Sequence, residues 1–291
     1  MDGVNYLMFK YYLVMNNLDK QDFGFSGDEF RGQLSTIPYA QFLNASSDTY
    51  GIAVTSANAE LAGLEMINSW HSLEHQFSNG DNEILFITSQ PRMLVLNRSR
   101  PLMSNESEVI PYNKAKLELG GYKAFSYAVV WFLNQDNKPI SELPFRLKCS
   151  GYSGLTFLQN YDYYNQAHSF CKQFLTIYKS LTGDRSIDKN DIFYAHAVYQ
   201  PNLVRQKATS SYNGQSSFTV MTDGFVEPTS DNFGELIIKN GSQTSHKIKE
   251  MIETTKSWLK LDLLEPEEKA QSEISPADRS EASLTPDPIS F

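Results

Sequence analysis

The chain has 291 residues, of which 41% are hydrophobic and 20% are charged, a balance typical of a folded globular protein rather than a disordered one. Its formal net charge is −9. Its only cysteines are Cys149 and Cys171, and so few cysteines exclude a disulfide scaffold and predict a reducing, cytoplasmic compartment. No apolar run is long enough to span a membrane, and the N-terminus lacks the basic region and cleavage site of a signal peptide.

Acidic and basic residues are segregated along the chain. Residues 1–83 have a net charge of −8, whereas residues 84–220 hold 15 Lys and Arg against 9 Asp and Glu, and residues 265–291 have a net charge of −5. We therefore divide the chain into an acidic N-terminal elaboration (1–83), a basic and aromatic core with a closing helix (84–264) and an acidic tail (265–291). Residues 84–220 also hold 21 of the 37 aromatic residues, and a basic, aromatic segment is what a single-stranded nucleic-acid site needs, although a β-rich core is also rich in aromatics.

In chain order, the first predicted elements are a helix over residues 4–18 and short strands over LSTIPYAQFLN and YGIAVTS. Apolar residues at three- and four-residue steps then predict an amphipathic helix over residues 57–77. EILFITS and RMLVLNRSR indicate a strand pair, followed by a long strand over YKAFSYAVVWFLN and by PFRLKCS, which SGLTF continues.

A second long helix is predicted over NYDYYNQAHSFCKQFLTIYKSLTG, with Phe170, Phe174, Ile177 and Leu181 toward the core and Gly183 at its end. The strand IFYAHAVYQ and a hairpin with Asn213-Gly214 as its turn follow, and a helix over SHKIKEMIETTKSWLKLDLL closes the folded part. This order predicts an α+β, mainly antiparallel protein with an OB-like barrel in residues 84–226, although other α+β folds share it.

Paired cations and aromatic side chains in the basic middle are the main candidate binding residues. Arg146 and Lys148 alternate with apolar residues on one strand, and Arg205 and Lys207 share a face of the hairpin, so each pair can neutralise successive phosphates. Aromatic rings can stack on bases, and the candidates are Tyr127, Trp131, Tyr152, Tyr161, Tyr163, Tyr164 and Tyr212. The alternative is that the rings lie in the core and the cations on an ordinary solvated face.

A second motif, His71-Ser72-Leu73-Glu74-His75, falls in the helix predicted over residues 57–77. On a helix, His71 and His75 would share a face and could bind zinc, with Glu74 as general base, as in the inverted zinc-protease motif that this sequence resembles. No later helix supplies an obvious third ligand, so exposed polar positions are the simpler interpretation.

Cys149, His168 and Cys171 are a third candidate group, because two cysteines and one histidine are ordinary zinc ligands. Cys149 alternates with Phe145 and Leu147, which instead predicts a small buried residue. Phosphate-binding and nucleophile-elbow motifs are absent from the sequence, so we expect no enzyme activity, no metal and no cofactor.

The tail, EPEEKAQSEISPADRSEASLTPDPISF, has no aromatic residue before its last position, and its composition predicts disorder. Its end, Asp287-Pro288-Ile289-Ser290-Phe291, resembles the acidic tip of bacterial and phage single-stranded DNA-binding proteins, although here a single Asp replaces an Asp run and Pro precedes Ile. The resemblance implies that the tip binds replication or recombination proteins. A C-terminal Phe offers a ring and a carboxylate to one pocket.

The rest of the chain resembles uncharacterised proteins of cyanobacterial plasmids and phages, which implies no activity. The sequence therefore predicts a non-enzymatic single-stranded nucleic-acid-binding protein, DNA rather than RNA in the first instance, that acts in replication or recombination. The alternatives are a zinc-dependent hydrolase using His71, Glu74 and His75, and an adaptor whose basic face meets a protein.

Overall fold

The computed structural model describes residues 37–44, 49–76, 82–105, 107–162, 168–185, 189–209 and 216–259. The helix predicted over residues 4–18, the Asn213-Gly214 turn and the tail 265–291 lie outside these ranges. All described residues belong to one compact unit that begins at Ile37. None of the helices in this part of the chain is both long enough and apolar enough to cross a bilayer.

The strands are mostly short and carry the β-branched and aromatic residues that favour extended backbone. They are β1 (Tyr39–Asn44), β2 (Tyr50–Thr55), β3 (His71–Gln76), β4 (Asn82–Thr88), β5 (Met93–Arg98), β6 (Leu102–Ser104), β7 (Val109–Pro111), β8 (Lys123–Phe132), β9 (Phe145–Ser150), β10 (Val198–Tyr199), β11 (Pro201–Thr209) and β12 (Ser216–Phe225).

The helices lie between these strands and after the last of them. They are α1 (Ser56–Ala62), α2 (Lys114–Glu118), α3 (Gly151–Asp162), α4 (Phe170–Thr182), α5 (Asp191–Tyr194) and α6 (Gln243–Thr255), with a final 3-10 turn at Lys256–Leu259. The closing helix predicted over residues 245–264 is confirmed as far as Thr255 by α6, which buries Ile248, Ile252 and Thr255 at helical spacing, and a 3-10 turn follows it.

Most strands join one large sheet in the order β10-β5-β8-β9-β1-β2-β4-β3, with β6 on β8 and β7 on β6, while β11 and β12 form a separate hairpin. The pairing of β1 with β9 is parallel and the other pairings are antiparallel. The α+β, mainly antiparallel class is therefore correct. The OB-like barrel is not confirmed, because the described sheet is open, with β10 and β3 at its ends.

Two features of the sheet differ from what the sequence predicted. The strands β4 and β5 are not a pair, since β4 lies between β2 and β3, and β5 lies between β8 and β10. The boundary drawn between residues 83 and 84 falls inside β4, so strands from both sides of it pair in one sheet.

The amphipathic helix predicted over residues 57–77 is wrong for most of its length. The helix α1 begins at its N-cap Thr55, whose side chain accepts a hydrogen bond from the Asn58 amide. It ends at Gly63, which has φ 62° and whose N–H bonds back to the helix. The segment then crosses to the sheet edge and forms β3, which pairs with β4 from His71 to Gln76.

The second predicted helix is divided, and its neighbours differ from expectation. SGLTF does not continue β9: it lies in α3, which begins at Gly151. A separate helix, α4, buries Phe170 and Phe174 and ends at Gly183 in the left-handed region, as predicted, but Leu181 is 50% exposed. The strand predicted over IFYAHAVYQ is instead the single turn α5 followed by the two-residue β10.

The core is centred on β8, which is buried on both faces from Phe125 to its end. Continuous burial, rather than alternation, follows when both faces of a strand are covered. The helix α3 packs against β12, β9 and β8, and α6 packs against β5. This arrangement places the β11–β12 hairpin beside α3 and the end of β1.

Candidate nucleic-acid interface

The β11–β12 hairpin carries the most exposed combination of cation and aromatic ring among the predicted binding elements. Its register pairs Arg205 with Val220 and Lys207 with Phe218. Directly opposed residues of an antiparallel pair share a face, so these four side chains lie on one side of the hairpin. That face is buried at Val220 and exposed at Lys207 and Phe218, so it changes from core to surface along its length.

Arg205 and Phe218 form the central contact of this face. The Arg205 guanidinium carbon lies 3.9 Å from the centroid of the Phe218 ring, and Phe218 is 46% exposed. Asn44, the last residue of β1, holds both partners: its side-chain oxygen accepts from Arg205 Nε at 2.8 Å, and its amide nitrogen donates to the Phe218 carbonyl. A cation is thus fixed over a partly exposed ring.

Arg146 does not lie on a solvated face, as its alternation in β9 suggested. Its side chain is 1% exposed, and its guanidinium lies 4.4 Å from the Tyr39 ring and 4.6 Å from the Tyr127 ring. Nη1 donates a hydrogen bond to the Trp258 carbonyl at 2.9 Å. The final 3-10 turn covers this face of β9, so Arg146 joins the sheet to that turn and does not contact solvent.

Lys148 and Tyr152 lie nearer the surface than Arg146. Lys148 is half-buried, with Nζ 4.7 Å from the centroid of the Phe125 ring. Tyr152 is half-buried in the first turn of α3, and the next residue, Ser153, is within 3.0 Å of the Thr219 hydroxyl on β12. The beginning of α3 therefore lies against the hairpin at Thr219, the residue that follows Phe218.

Three of the predicted stacking residues belong to the core. Trp131 is 2% exposed and donates from Nε1 to the Ser141 carbonyl at 3.0 Å. Tyr127 is also 2% exposed and packs on Arg146. Tyr161 lies among Phe170 and Tyr199, and burial raises its pKa well above the ordinary value for a tyrosine. None of these rings can stack on a base while the fold is intact.

Several predicted site residues lie outside the described residues. They are the ring candidates Tyr163, Tyr164 and Tyr212 and the tail residues Asp287, Pro288, Ile289 and Phe291. Lys207, by contrast, is described and exposed.

The zinc-protease motif does not have the geometry that it needs. His71, Glu74 and His75 lie on β3, where His71 and His75 point to one face and Glu74 to the other. Four residues of strand separate the two histidines by roughly 13 Å, compared with one turn of a helix. In the described ranges, no three His, Cys, Asp or Glu side chains come together as a possible metal site.

Cys149 and Cys171 are buried, as the alternation of β9 predicted for Cys149, and His168 is exposed. Burial raises the pKa of the Cys149 thiol to about 12 and also raises the pKa of Cys171. Both thiols therefore stay protonated near neutral pH, so neither is an activated nucleophile. They act as small apolar residues of the core.

Sequence reasoning missed Phe218 and Asn44. Phe218 alternates with Val220 along β12, a pattern that assigns it to the core, and only its place far along the hairpin leaves it exposed. Asn44 is 161 residues from Arg205, and no local pattern relates the two.

Fold and site together define an α+β protein with an open, mostly antiparallel sheet and an exposed cation–aromatic hairpin. The chain belongs to the DUF5895 family, described as a domain of unknown function, which matches residues 34–271. No curated protein and no solved structure matches it.

Proposed function

We propose that this protein binds single-stranded nucleic acid, DNA in the first instance, and does so in replication or recombination. One observation carries the proposal: Arg205 is held on the partly exposed ring of Phe218, with the exposed Lys207 directly across the hairpin from that ring. Proteins that bind single strands combine cations along the backbone with aromatic rings that stack on bases, and each stacked base contributes about 1–3 kcal/mol.

The binding surface in this proposal is smaller than the sequence predicted and centres on the hairpin. Lys207 and Arg205 supply charge and Phe218 supplies a ring, while Ser153, the residue after Tyr152, lies against Thr219 on β12. The proposal does not require the closed OB-like barrel, because an open strand face with a hairpin presents the same groups.

The acidic tail has two roles in this proposal. The final residues, Asp287, Pro288, Ile289 and Phe291, bind a protein partner through the ring and carboxylate of Phe291. The acidic stretch before them competes with nucleic acid for the cations of the fold. The position of Leu259 supports the competition between the tail and nucleic acid. Leu259 packs against the cluster of Leu102, Phe125 and Tyr127, and the chain continues from it toward the tail. Phe125 is the ring beside the Lys148 ammonium group.

The test is fluorescence anisotropy of a short labelled single-stranded oligonucleotide at several salt concentrations. We expect Lys207→Glu to weaken binding and to reduce the steepness of the log–log salt dependence by about 0.7, the value for one phosphate contact on a single strand. Lys247→Glu, the same charge change at an exposed position on α6, is the matched control and is expected to leave binding nearly unchanged.

Absence of salt-dependent binding by the wild type at low ionic strength would overturn the proposal. Binding to an acidic peptide with no binding to the oligonucleotide would favour the adaptor instead. Equal losses of oligonucleotide affinity in Lys207→Glu and Lys247→Glu would show that the hairpin is not the binding surface.

A further inference from the structure

The Asn44 side chain joins the hairpin to the large sheet at the point where Arg205 meets Phe218. It accepts from Arg205 Nε on β11 and donates to the Phe218 carbonyl on β12, so one amide contacts both strands. The hairpin is a separate two-stranded sheet, and Asn44 is the last residue of a strand in the other sheet. This single residue therefore fixes the guanidinium in relation to the ring.

A guanidinium at 3.9 Å from a ring centroid lies at van der Waals contact with that ring. Phosphate neutralisation alone does not need this arrangement, because a flexible lysine supplies the same charge. Stacking does need it, because the flat group must be held with one face toward the ring and the other toward a ligand. Holding it before binding also reduces the conformational entropy that binding would otherwise cost.

We propose that Arg205 and Phe218, held by Asn44, form a preorganised stacking site for one unpaired nucleobase. The inference rests on the proposed function and identifies the part of the nucleic acid that this site recognises. In a duplex the faces of each base are covered by its neighbours, so this site selects single-stranded or extruded bases. Asn44 is a positioning residue here: it acts through Arg205 and Phe218 and does not itself contact the base.

The experiment compares two labelled probes of equal length and charge, an oligothymidylate and an abasic oligomer with the same phosphates. We expect the wild type to prefer the base-containing probe by roughly 5- to 150-fold, the equivalent of one stacked base. Asn44→Ala should remove most of this preference while changing the affinity for the abasic probe less than about twofold, since the charge is kept.

Two further variants make the test specific. Arg205→Lys keeps the charge but loses the flat group, so it should also lose the preference for bases. Asn202→Ala is the matched control, because the Asn202 amide also bonds across the hairpin, to the Asp223 carbonyl at 3.2 Å, at the end away from Phe218. It should keep the wild-type preference.

The outcomes separate this inference from the proposed function. If the wild type binds neither probe, the proposed function fails. If it binds both probes equally, or if Asn44→Ala and Arg205→Lys keep the wild-type preference, the stacking site is refuted while nucleic-acid binding stands. If Asn44→Ala does not fold, Arg205→Lys decides the question alone.

Discussion

Arg146 illustrates how the surroundings of a single residue decide its role. In the sequence it is one of two cations that alternate with apolar residues on β9, which is the pattern of a half-exposed strand. In the structure it is buried between two tyrosine rings and bonded to a backbone carbonyl of the final turn. Its neighbour in the pattern, Lys148, is only half-buried.

At this scale we predict that Arg146→Ala lowers the free energy of unfolding by roughly 3 kcal/mol or more. The substitution leaves a cavity between Tyr39 and Tyr127 and removes the donor for the Trp258 carbonyl, and each effect is destabilising. Urea denaturation measures the change, with Lys148→Ala as the control that should cost less than about 1 kcal/mol. An Arg146→Ala variant of unchanged stability with weakened oligonucleotide binding would show that Arg146 belongs to the binding surface and not to the core.

Among the elements, α3 depends on an unusually close approach to β9. A Cβ atom on Gly154 would lie 2.2 Å from the Cys149 carbonyl carbon, so only glycine allows the helix to pack on the strand at this distance. The contact positions the first turn of α3, with Tyr152, against the hairpin. Helix packing at Gly154 therefore determines where one candidate binding residue lies.

We predict that Gly154→Ala lowers the melting temperature markedly, with a loss of roughly 1–3 kcal/mol or more, because backbone atoms of β9 cannot move aside as a flexible side chain can. Gly234→Ala is the matched control: no atom lies within 4 Å of the Cβ that it would add, and its φ is not in the left-handed region. Thermal unfolding followed by circular dichroism measures both. Equal melting temperatures for the two variants would refute the close packing of α3 on β9.

The distribution of charge concerns the whole molecule. The acidic tail, with a net charge of −5, and the basic segment 84–220, with a net charge of +6, belong to the same chain. Their attraction is therefore intramolecular and is weakened by salt. In the proposed function, nucleic acid bound by the cations competes with the tail.

We predict that deletion of residues 265–291 tightens oligonucleotide binding, most strongly at low salt, where the Debye length is longest. Removal of Phe291 alone should leave this affinity nearly unchanged, because the ring has no charge, but should abolish capture of the protein partner. Anisotropy measures the affinity, and a pull-down with both baits measures the capture. Unchanged affinity in the deletion at low salt would exclude competition, and identical captured proteins would exclude the role of Phe291.

Local sequence patterns were sufficient to predict those strands and helices whose buried and exposed positions follow a regular period. The strands β1, β2, β4, β5, β8, β9, β11 and β12 and the helix α6 follow from alternation, apolar runs and helical spacing. The helix predicted over residues 57–77 failed because Gly63 ends α1 early and because β4 offers β3 a partner that the sequence does not reveal. Apolar spacing alone cannot distinguish the two outcomes in such a segment.

The sequence by itself determined the α+β class, the hairpin, the position of the closing helix and the pairing of Arg205 and Lys207 on one face. Each of these depends on contacts between residues near one another in the chain, or on a periodicity that burial imposes. Only the tertiary structure decided that Arg146, Tyr127, Trp131 and Tyr161 are buried and that Asn44 meets Arg205 and Phe218. These contacts join segments that lie far apart in sequence. The burial of a side chain depends on which element covers its face of the sheet, and no local sequence pattern shows which element that is.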